Sequence, residues 1–166
     1  MSDPDDRLDH AGEATGHGEE ALALAGPKPA ELLEGPGAFY ASLSGHQRRL
    51  MTLAIRESAR LFPHDTDDDG RKDAVRHAYW SALLMFHLGL SNALAATSAH
   101  EAFAGARNPA ERRGMDDFNH ARGFELGLGC PSDFTDRQIL GRVTDAYLRG
   151  ELRVLRPDAN RASRRR

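Results

Sequence analysis

Apolar side chains recur at helical spacing along most of the chain after residue 44, and this period constrains the fold more than any other feature. Between residues 69 and 89, for example, Val75, Tyr79, Ala82 and Phe86 lie on one face of a helix. Apolar and polar residues do not alternate over any stretch long enough for a strand of a sheet. The sequence therefore predicts an all-α fold, a single bundle of about five helices.

Capping residues, glycines and prolines predict the helix boundaries. The five expected helices cover residues 44–62, 69–89, 92–104, 109–127 and 135–150. Ser44 is the expected N-cap of the first helix and Ser91 of the third, and Thr135 or Ser132 is the expected N-cap of the fifth. A short extended piece around residues 152–155 is expected to follow the last helix.

The two ends of the chain differ from its middle in composition. Residues 1–36 are rich in Asp, Glu, Gly, Ala and Pro and contain no aromatic residue, so they cannot offset the entropy of ordering. We predict a disordered acidic arm over residues 1–36, a helical domain over residues 37–157 and a basic tail over residues 158–166. The net charge of -3 carries no clear signal for nucleic acid or a membrane, and the charged termini are the expected contacts of a protein partner.

Several classes of protein are disfavoured by composition. The single cysteine, Cys130, excludes an intramolecular disulfide. The first twenty residues are acidic, unlike a secretory leader. The longest apolar run, residues 78–90, is interrupted by Ser81 and His87 and is too short to span a bilayer. We therefore expect a cytoplasmic protein, with export by a leaderless route left open.

Residues 65–70 match the first half of a calcium-binding loop, with acidic residues at alternate positions and glycine at the sixth. The twelfth position of such a loop requires a glutamate, and Arg76 stands there. An acidic turn that caps the second helix is the favoured interpretation.

Three polar clusters interrupt the apolar pattern of the second, third and fourth predicted helices. Their members are Asp73, Arg76, His77 and Trp80, then His100 and Glu101, then Asp116, Asn119, His120 and Gly123. Such groups are costly to bury unless they form a satisfied network, a metal site or a catalytic site. Because short loops make consecutive helices neighbours, we expect the clusters to converge.

Spacing within the clusters predicts two local contacts. Asp73 and His77 are four residues apart on one helix face, so a hydrogen bond can hold one ring nitrogen and leave the other for a metal or a proton. The same spacing also suits an ordinary helix pair in which Asp73 serves the helix N-terminus. Gly123 costs about 1 kcal/mol relative to alanine in a helix interior, so a neighbouring helix is expected to approach closely there.

The donor types favour zinc, manganese or iron, because nitrogen and oxygen ligands are present without sulfur. The first hypothesis is a metal-dependent hydrolase, for example a phosphoesterase. The metal ligands would be His77, His100, Asp116 and additionally His120. Glu101 would be the general base, Arg76 would bind an anionic group of the substrate, and Asn119 would orient substrate or ligand.

The second hypothesis is a non-catalytic binding domain in which the same clusters form a buried hydrogen-bond network that fixes helix register. The order of His, His-acid and Asp is also similar to that of the all-α HD-type phosphohydrolases. The doublet here is His-Glu, however, and the final Asp follows unusually soon, so this similarity is an analogy only.

A closer resemblance rests on three motifs with their spacing. They are Gly70-x-x-Asp73-Ala-x-Arg76-His77-x-x-Trp80, then Ala99-His100-Glu101, then Met115-Asp116-x-x-Asn119-x-x-x-Gly123. The chain resembles a bacterial helical domain family of unknown function that occurs in secreted, wall-associated and toxin-like proteins. The resemblance implies that Asp73, Trp80 and Gly123 support the site, and it adds a toxin or effector role as a third hypothesis. His120 stands where the family often has a second asparagine.

Overall fold

The computed structural model describes residues 35–65, 69–104 and 109–155. Five helices lie in these ranges: α1 (Gly35–Ser42), α2 (Gly45–Leu61), α3 (Arg71–Ala104), α4 (Ala110–Leu128) and α5 (Asp136–Leu148). The described ranges contain no strand, so the predicted all-α bundle is confirmed. The predicted acidic arm before residue 35 and the basic tail over residues 158–166 lie outside the described residues.

α3 is the centre of the bundle, and it reverses direction at Gly89. The backbone there is non-helical, with φ 75° and ψ 170°. On a straight helix His77 and His100 would be roughly 34 Å apart, yet their ring centroids are separated by 5.4 Å. We therefore describe α3 as a first limb, residues 71–88, and a second limb, residues 90–104. The predicted pair of helices is confirmed, with the junction at Gly89. The N-cap predicted at Ser91 is wrong, because the second limb is already helical at Leu90.

By length and composition alone, α3 could cross a membrane. The reversal at Gly89 divides it, however, and the first limb opens with the charged residues Arg71, Lys72, Asp73 and Arg76. Neither limb then offers the ~20 consecutive, predominantly apolar residues that a membrane-spanning helix needs.

α1 begins at Gly35, in a segment whose glycines and proline predict a linker. Gly and Pro are the poorest helix formers. Tertiary packing outweighs that preference here: Phe39 is 3% exposed and Leu43, just after the helix, is 6% exposed. The Phe39 ring meets Trp80 edge-on, with centroids 6.4 Å apart.

Capping side chains begin α2 and α5. The Ser44 side chain accepts a hydrogen bond from the Gln47 amide, and the Gln47 side chain bonds back to the Ser44 amide. Thr135 and Gln138 form the same reciprocal arrangement at α5. The predicted cap at Ser44 is confirmed, and of the two candidates for α5 the structure uses Thr135.

The turn before α3 also acts as a cap. The buried Asp65 carboxylate accepts a hydrogen bond from the Lys72 amide at 3.1 Å and pairs with the Arg71 guanidinium at 3.4 Å. This matches the expected acidic turn. Residues 66–68 of the calcium-like motif lie outside the described residues.

α4 packs against the first limb of α3 through two glycines. A Cβ at Gly123 would lie 2.3 Å from the carbonyl oxygen of Ala78, and one at Gly127 would lie 2.4 Å from that of Ala82. The close approach predicted at Gly123 is confirmed. After α5, residues 151–155 form a non-helical segment that we call the C-terminal strap, and its Leu152 is buried.

Candidate metal centre

The three polar clusters meet where α4 lies beside both limbs of α3. His77 comes from the first limb, Glu101 and His100 from the second, and Asp116 and His120 from α4. The ring centroids of His77 and His120 are 4.8 Å apart, and those of His100 and His120 are 6.2 Å apart. His77, Asp116 and His120 are buried. The predicted convergence of the clusters is therefore confirmed.

One group of three donors has the spacing of a metal site. Nδ1 of His77 lies 3.1 Å from Nε2 of His120, which in turn lies 3.1 Å from Oε1 of Glu101. One ligand atom from each of the three residues falls within 4.8 Å of the other two. Neighbouring donors of a tetrahedral zinc ion with bonds of about 2.1 Å are roughly 3.4 Å apart. The three side chains can therefore surround an ion with small adjustments.

The opposite nitrogen of each histidine has its own partner. Nε2 of His77 lies 3.1 Å from Oδ1 of Asp73 and 3.5 Å from Oδ1 of Asp116. Nδ1 of His120 lies 2.6 Å from the Ser81 hydroxyl oxygen. A carboxylate that accepts Nε2–H fixes the tautomer and leaves the Nδ1 lone pair of His77 facing His120. Ser81 was absent from the predicted site, although its place one turn after His77 could have identified it.

Asp73, His77 and Asp116 form a second group of possible ligands. Protein partners already occupy Asp73, which accepts a hydrogen bond from the Asp69 amide at 2.8 Å and pairs with Arg76. Burial raises the pKa of Asp73, but the His77 hydrogen bond and the charges of His77 and Arg76 outweigh burial and bring the pKa to about 2. The group of His77, His120 and Glu101 is therefore the better metal candidate.

Three buried polar atoms beside that group have no hydrogen-bond partner in the described part of the chain. They are Nε1 of Trp80, Nδ1 of His100 and Oε2 of Glu101. The Trp80 ring centroid is 5.5 Å from that of His100 and 5.9 Å from that of His120. An unsatisfied buried group costs about 1–3 kcal/mol, so these three atoms need partners that the described side chains do not supply.

Burial also sets the charge of the cluster. It lowers the pKa of His100 to about 2, and a positive charge on His77 or His120 would act in the same direction. Burial likewise lowers the pKa of His120 well below its usual range and raises the pKa of Glu101. The His100 and His120 rings are therefore neutral at pH 7, which is the form of imidazole that binds a metal.

Two predicted site residues point to other partners. Arg76 pairs with Asp73 at the edge of the cluster. The Asn119 side chain donates to the carbonyl of Arg153 and accepts from its amide, both at 2.9 Å. Both polar atoms of the Asn119 side chain are thus bonded to the C-terminal strap.

A cleft of about 550 Å³ connects the donors to the surface. It lies between the second limb of α3 and α4, with His120 and Glu101 among its lining residues. Arg113 and the exposed Asp117 also line it, so the cleft leads from the surface to His120 and Glu101, whereas His77 is not among its lining residues.

Fold and site together define a small all-α domain with a buried histidine–carboxylate cluster open to a surface cleft. A family model described as Domain of unknown function (DUF6973) matches residues 46–150, and the chain belongs to this family. Comparison with curated proteins and comparison with solved structures each returned no match. The expected membership of an uncharacterised domain family is confirmed, and the function has to be argued from the site.

Proposed function

We propose that the domain is a metal-dependent hydrolase that binds zinc, manganese or iron through His77, His120 and Glu101. One observation carries the proposal: a three-donor group and three buried polar atoms without partners occupy the same place. In a purely structural network, nearly all buried polar atoms are expected to be paired, because an unpaired one is costly. A metal ion and a substrate would give these atoms their missing partners.

The ligand set suits a catalytic rather than a structural ion. Catalytic zinc sites use three protein ligands, including sets of two histidines and one glutamate, and leave one position open. Compared with the metal ligands predicted from the sequence, this ligand set adds Glu101 and leaves out His100 and Asp116. Asp116 faces the opposite nitrogen of His77, and Nε2 of His100 is 4.0 Å from Oε1 of Glu101.

A divalent ion at this position supplies Lewis acidity, which polarises the scissile bond and makes water more acidic. Oε2 of Glu101, buried and without a hydrogen-bond partner, accepts a proton from the attacking water. The water oxygen forms a bond to the electrophilic carbon or phosphorus, the bond to the leaving oxygen breaks, and that oxygen receives the proton. The indole N–H of Trp80 and Nδ1 of His100 have no hydrogen-bond partner among the described residues, and neither residue lines the cleft.

Metal binding is the first test, and the chain provides its own reporter. Trp80 is the only tryptophan and lies against His100 and His120, so cobalt bound at the site should quench its fluorescence. We expect one equivalent of metal per chain by elemental mass spectrometry, lost in His120→Ala and in the nearly isosteric Glu101→Gln. His87→Ala is the matched control, because His87 pairs with Asp136 away from the cluster.

Absence of stoichiometric metal after incubation with zinc, manganese and iron would refute the proposal. Equal loss of metal in His87→Ala would also refute it. Circular dichroism of each variant separates loss of a ligand from loss of fold. A metal-loaded wild type that hydrolyses model esters or phosphoesters, and a Glu101→Gln variant that does not, would complete the assignment.

A second candidate is a non-catalytic binding domain with the cluster as a hydrogen-bond network. The observation that favours it is that both 3.1 Å distances at Nε2 of His120 are also hydrogen-bond distances. Under this alternative, metal ions leave the melting temperature unchanged, whereas binding to the folded state raises it. The toxin-like role, the cytoplasmic location and a partner at the charged termini stay predictions.

A further inference from the structure

The cleft beside the donor group is charged at one end and has its largest apolar side chains at the other. Glu101, Arg113 and Asp117 lie at the charged end, Leu94 and Phe124 lie at the apolar end, and Thr97 and Ser98 come between Leu94 and Glu101 on the second limb. The second limb of α3 and α4 run in opposite directions here, because Glu101 contacts His120 whereas Leu94 shares the cleft with Phe124. The cleft therefore has a direction, from the donor atoms towards the turn at Gly89.

Exposed leucines continue the apolar end beyond the cleft. Leu90 lies one turn before Leu94 on the second limb, and Leu128 lies one turn after Phe124 on α4. Leu90, Leu94 and Leu128 are 50%, 45% and 72% exposed. Because the two helices run antiparallel, both leucine-bearing turns flank the same end, and together they lengthen the apolar walls.

We propose that this cleft binds an unbranched hydrocarbon chain. It follows, on the basis of the proposed function, that the substrate is an ester of a lipid-like amphiphile whose polar group lies at Glu101 and His120. The volume of about 550 Å³ is in the range of small-molecule sites. An alkyl chain makes only apolar contacts, which are what Leu94, Phe124 and the exposed leucines beyond them offer.

Hydrolysis of such an ester forms a bond between the water oxygen and the acyl carbon and breaks the bond from that carbon to the alcohol oxygen. The alcohol leaves with one proton, and the second proton of water is released when the acid product ionises. The chain lies along Leu94 and Phe124 while the reacting group lies at the donor atoms.

Alcohols of increasing length test the assignment without metal or turnover. Butanol, hexanol, octanol and decanol are titrated into the full chain, and Trp80 fluorescence or calorimetry reports binding. We expect Kd to fall about two- to fourfold for each added methylene, the upper value corresponding to full burial. Leu94→Ser and Leu128→Ser should weaken decanol binding about fivefold and change butanol binding less than about twofold.

Leu148→Ser is the matched control, because Leu148 is 74% exposed on α5 and does not line the cleft. A Kd that is independent of chain length would overturn the inference. So would a Leu148→Ser variant that loses as much decanol affinity as Leu94→Ser.

The result for the cleft and the result for the metal are separable. Chain-length-dependent binding by a protein that takes up no metal would support the cleft assignment and refute the hydrolase. Stoichiometric metal without chain-length dependence would support the metal centre and refute the hydrocarbon site.

Discussion

α4 contacts the two limbs of α3 in opposite ways. Towards the first limb it presents Gly123 and Gly127, and the backbones come so close that a Cβ at either position would clash with a carbonyl oxygen. Towards the second limb the same helix lines a cleft of about 550 Å³, where Oε2 of Glu101 has no hydrogen-bond partner. We call the contact of α4 with the first limb the closed seam and its contact with the second limb the open seam.

This difference places the parts of the candidate site on elements of different rigidity. His77 and Ser81 on the first limb contact His120 of α4 across the closed seam, where packing leaves little room for adjustment, and His120 also lines the cleft. Glu101 comes from the open side, next to the cleft. Two histidines are thus held in place before any ligand arrives, which is what a metal site requires for affinity and selectivity.

The largest expected effect is that of Gly123→Ala, which adds one methyl group at the closed seam, where no space is free for it. The new Cβ would lie 2.3 Å from the Ala78 carbonyl oxygen and 2.7 Å from Cβ of Ser81, so α4 must move. We expect a loss of about 3 kcal/mol in the free energy of unfolding, measured by urea denaturation.

Two control variants sharpen this prediction. Gly141→Ala adds the same methyl on α5, where nothing lies within 4 Å, and should stabilise by up to about 1 kcal/mol. Ala121→Leu, in the open seam, should change stability by less than about 0.5 kcal/mol. If Ala121→Leu destabilised as much as Gly123→Ala, the contrast between the seams would be wrong.

The next effect concerns the C-terminal strap, which α4 holds through Asn119. Asn119→Ala removes both hydrogen bonds to the Arg153 backbone and should cost about 2 kcal/mol. Trypsin cleavage after Arg153 should become faster, as followed by mass spectrometry. Metal stoichiometry should stay unchanged. Loss of metal in this variant would support the role predicted from the sequence, in which Asn119 orients substrate or ligand.

Glu101→Gln should separate function from stability at the open seam. In chelator, its free energy of unfolding should stay within about 1 kcal/mol of wild type, because a neutral amide replaces a buried carboxylate that lacks a partner for Oε2. The rise in melting temperature on adding zinc should disappear. A large loss of stability in chelator would identify Glu101 as a structural residue instead.

The smallest effect is expected at Glu151, which lies on the strap and pairs with Arg122 and Arg149. Hydrogen bonds from Arg149 and Arg122 lower the pKa of Glu151 from 4.5 to about 2. A lowered pKa means that the ion pairs stabilise the fold above pH 4.5 and that this contribution is lost as the pH falls towards 2. The stability difference between wild type and Glu151→Gln should therefore shrink over that interval in acid denaturation, and also in high salt. A difference that is constant with pH would contradict the pairing.

Local sequence patterns predicted much of the fold and part of the site. The spacing of Asp73 and His77 predicted their contact, Gly123 predicted a close approach, and Gly89 marked the end of a helix. The sequence did not predict α1, because glycine and proline disfavour a helix in an isolated segment. In the folded protein the core holds Phe39 and stabilises the helix. The partner of Asn119 is 34 residues away in sequence, and no local pattern identifies it.

By itself, the sequence determined where α2, α4 and α5 begin and end and which polar groups face inwards, since helical period and capping depend on residues a few positions apart. Only the tertiary structure decided which atoms meet. The reversal of α3 at Gly89 brings Glu101 to His120, and the packing of α4 on the first limb places Asp116 at the opposite nitrogen of His77. Beside the donor group, three buried polar atoms have no hydrogen-bond partner among the described residues. These outcomes depend on the angles and distances between helices, which arise from packing across the whole bundle and not from any short segment.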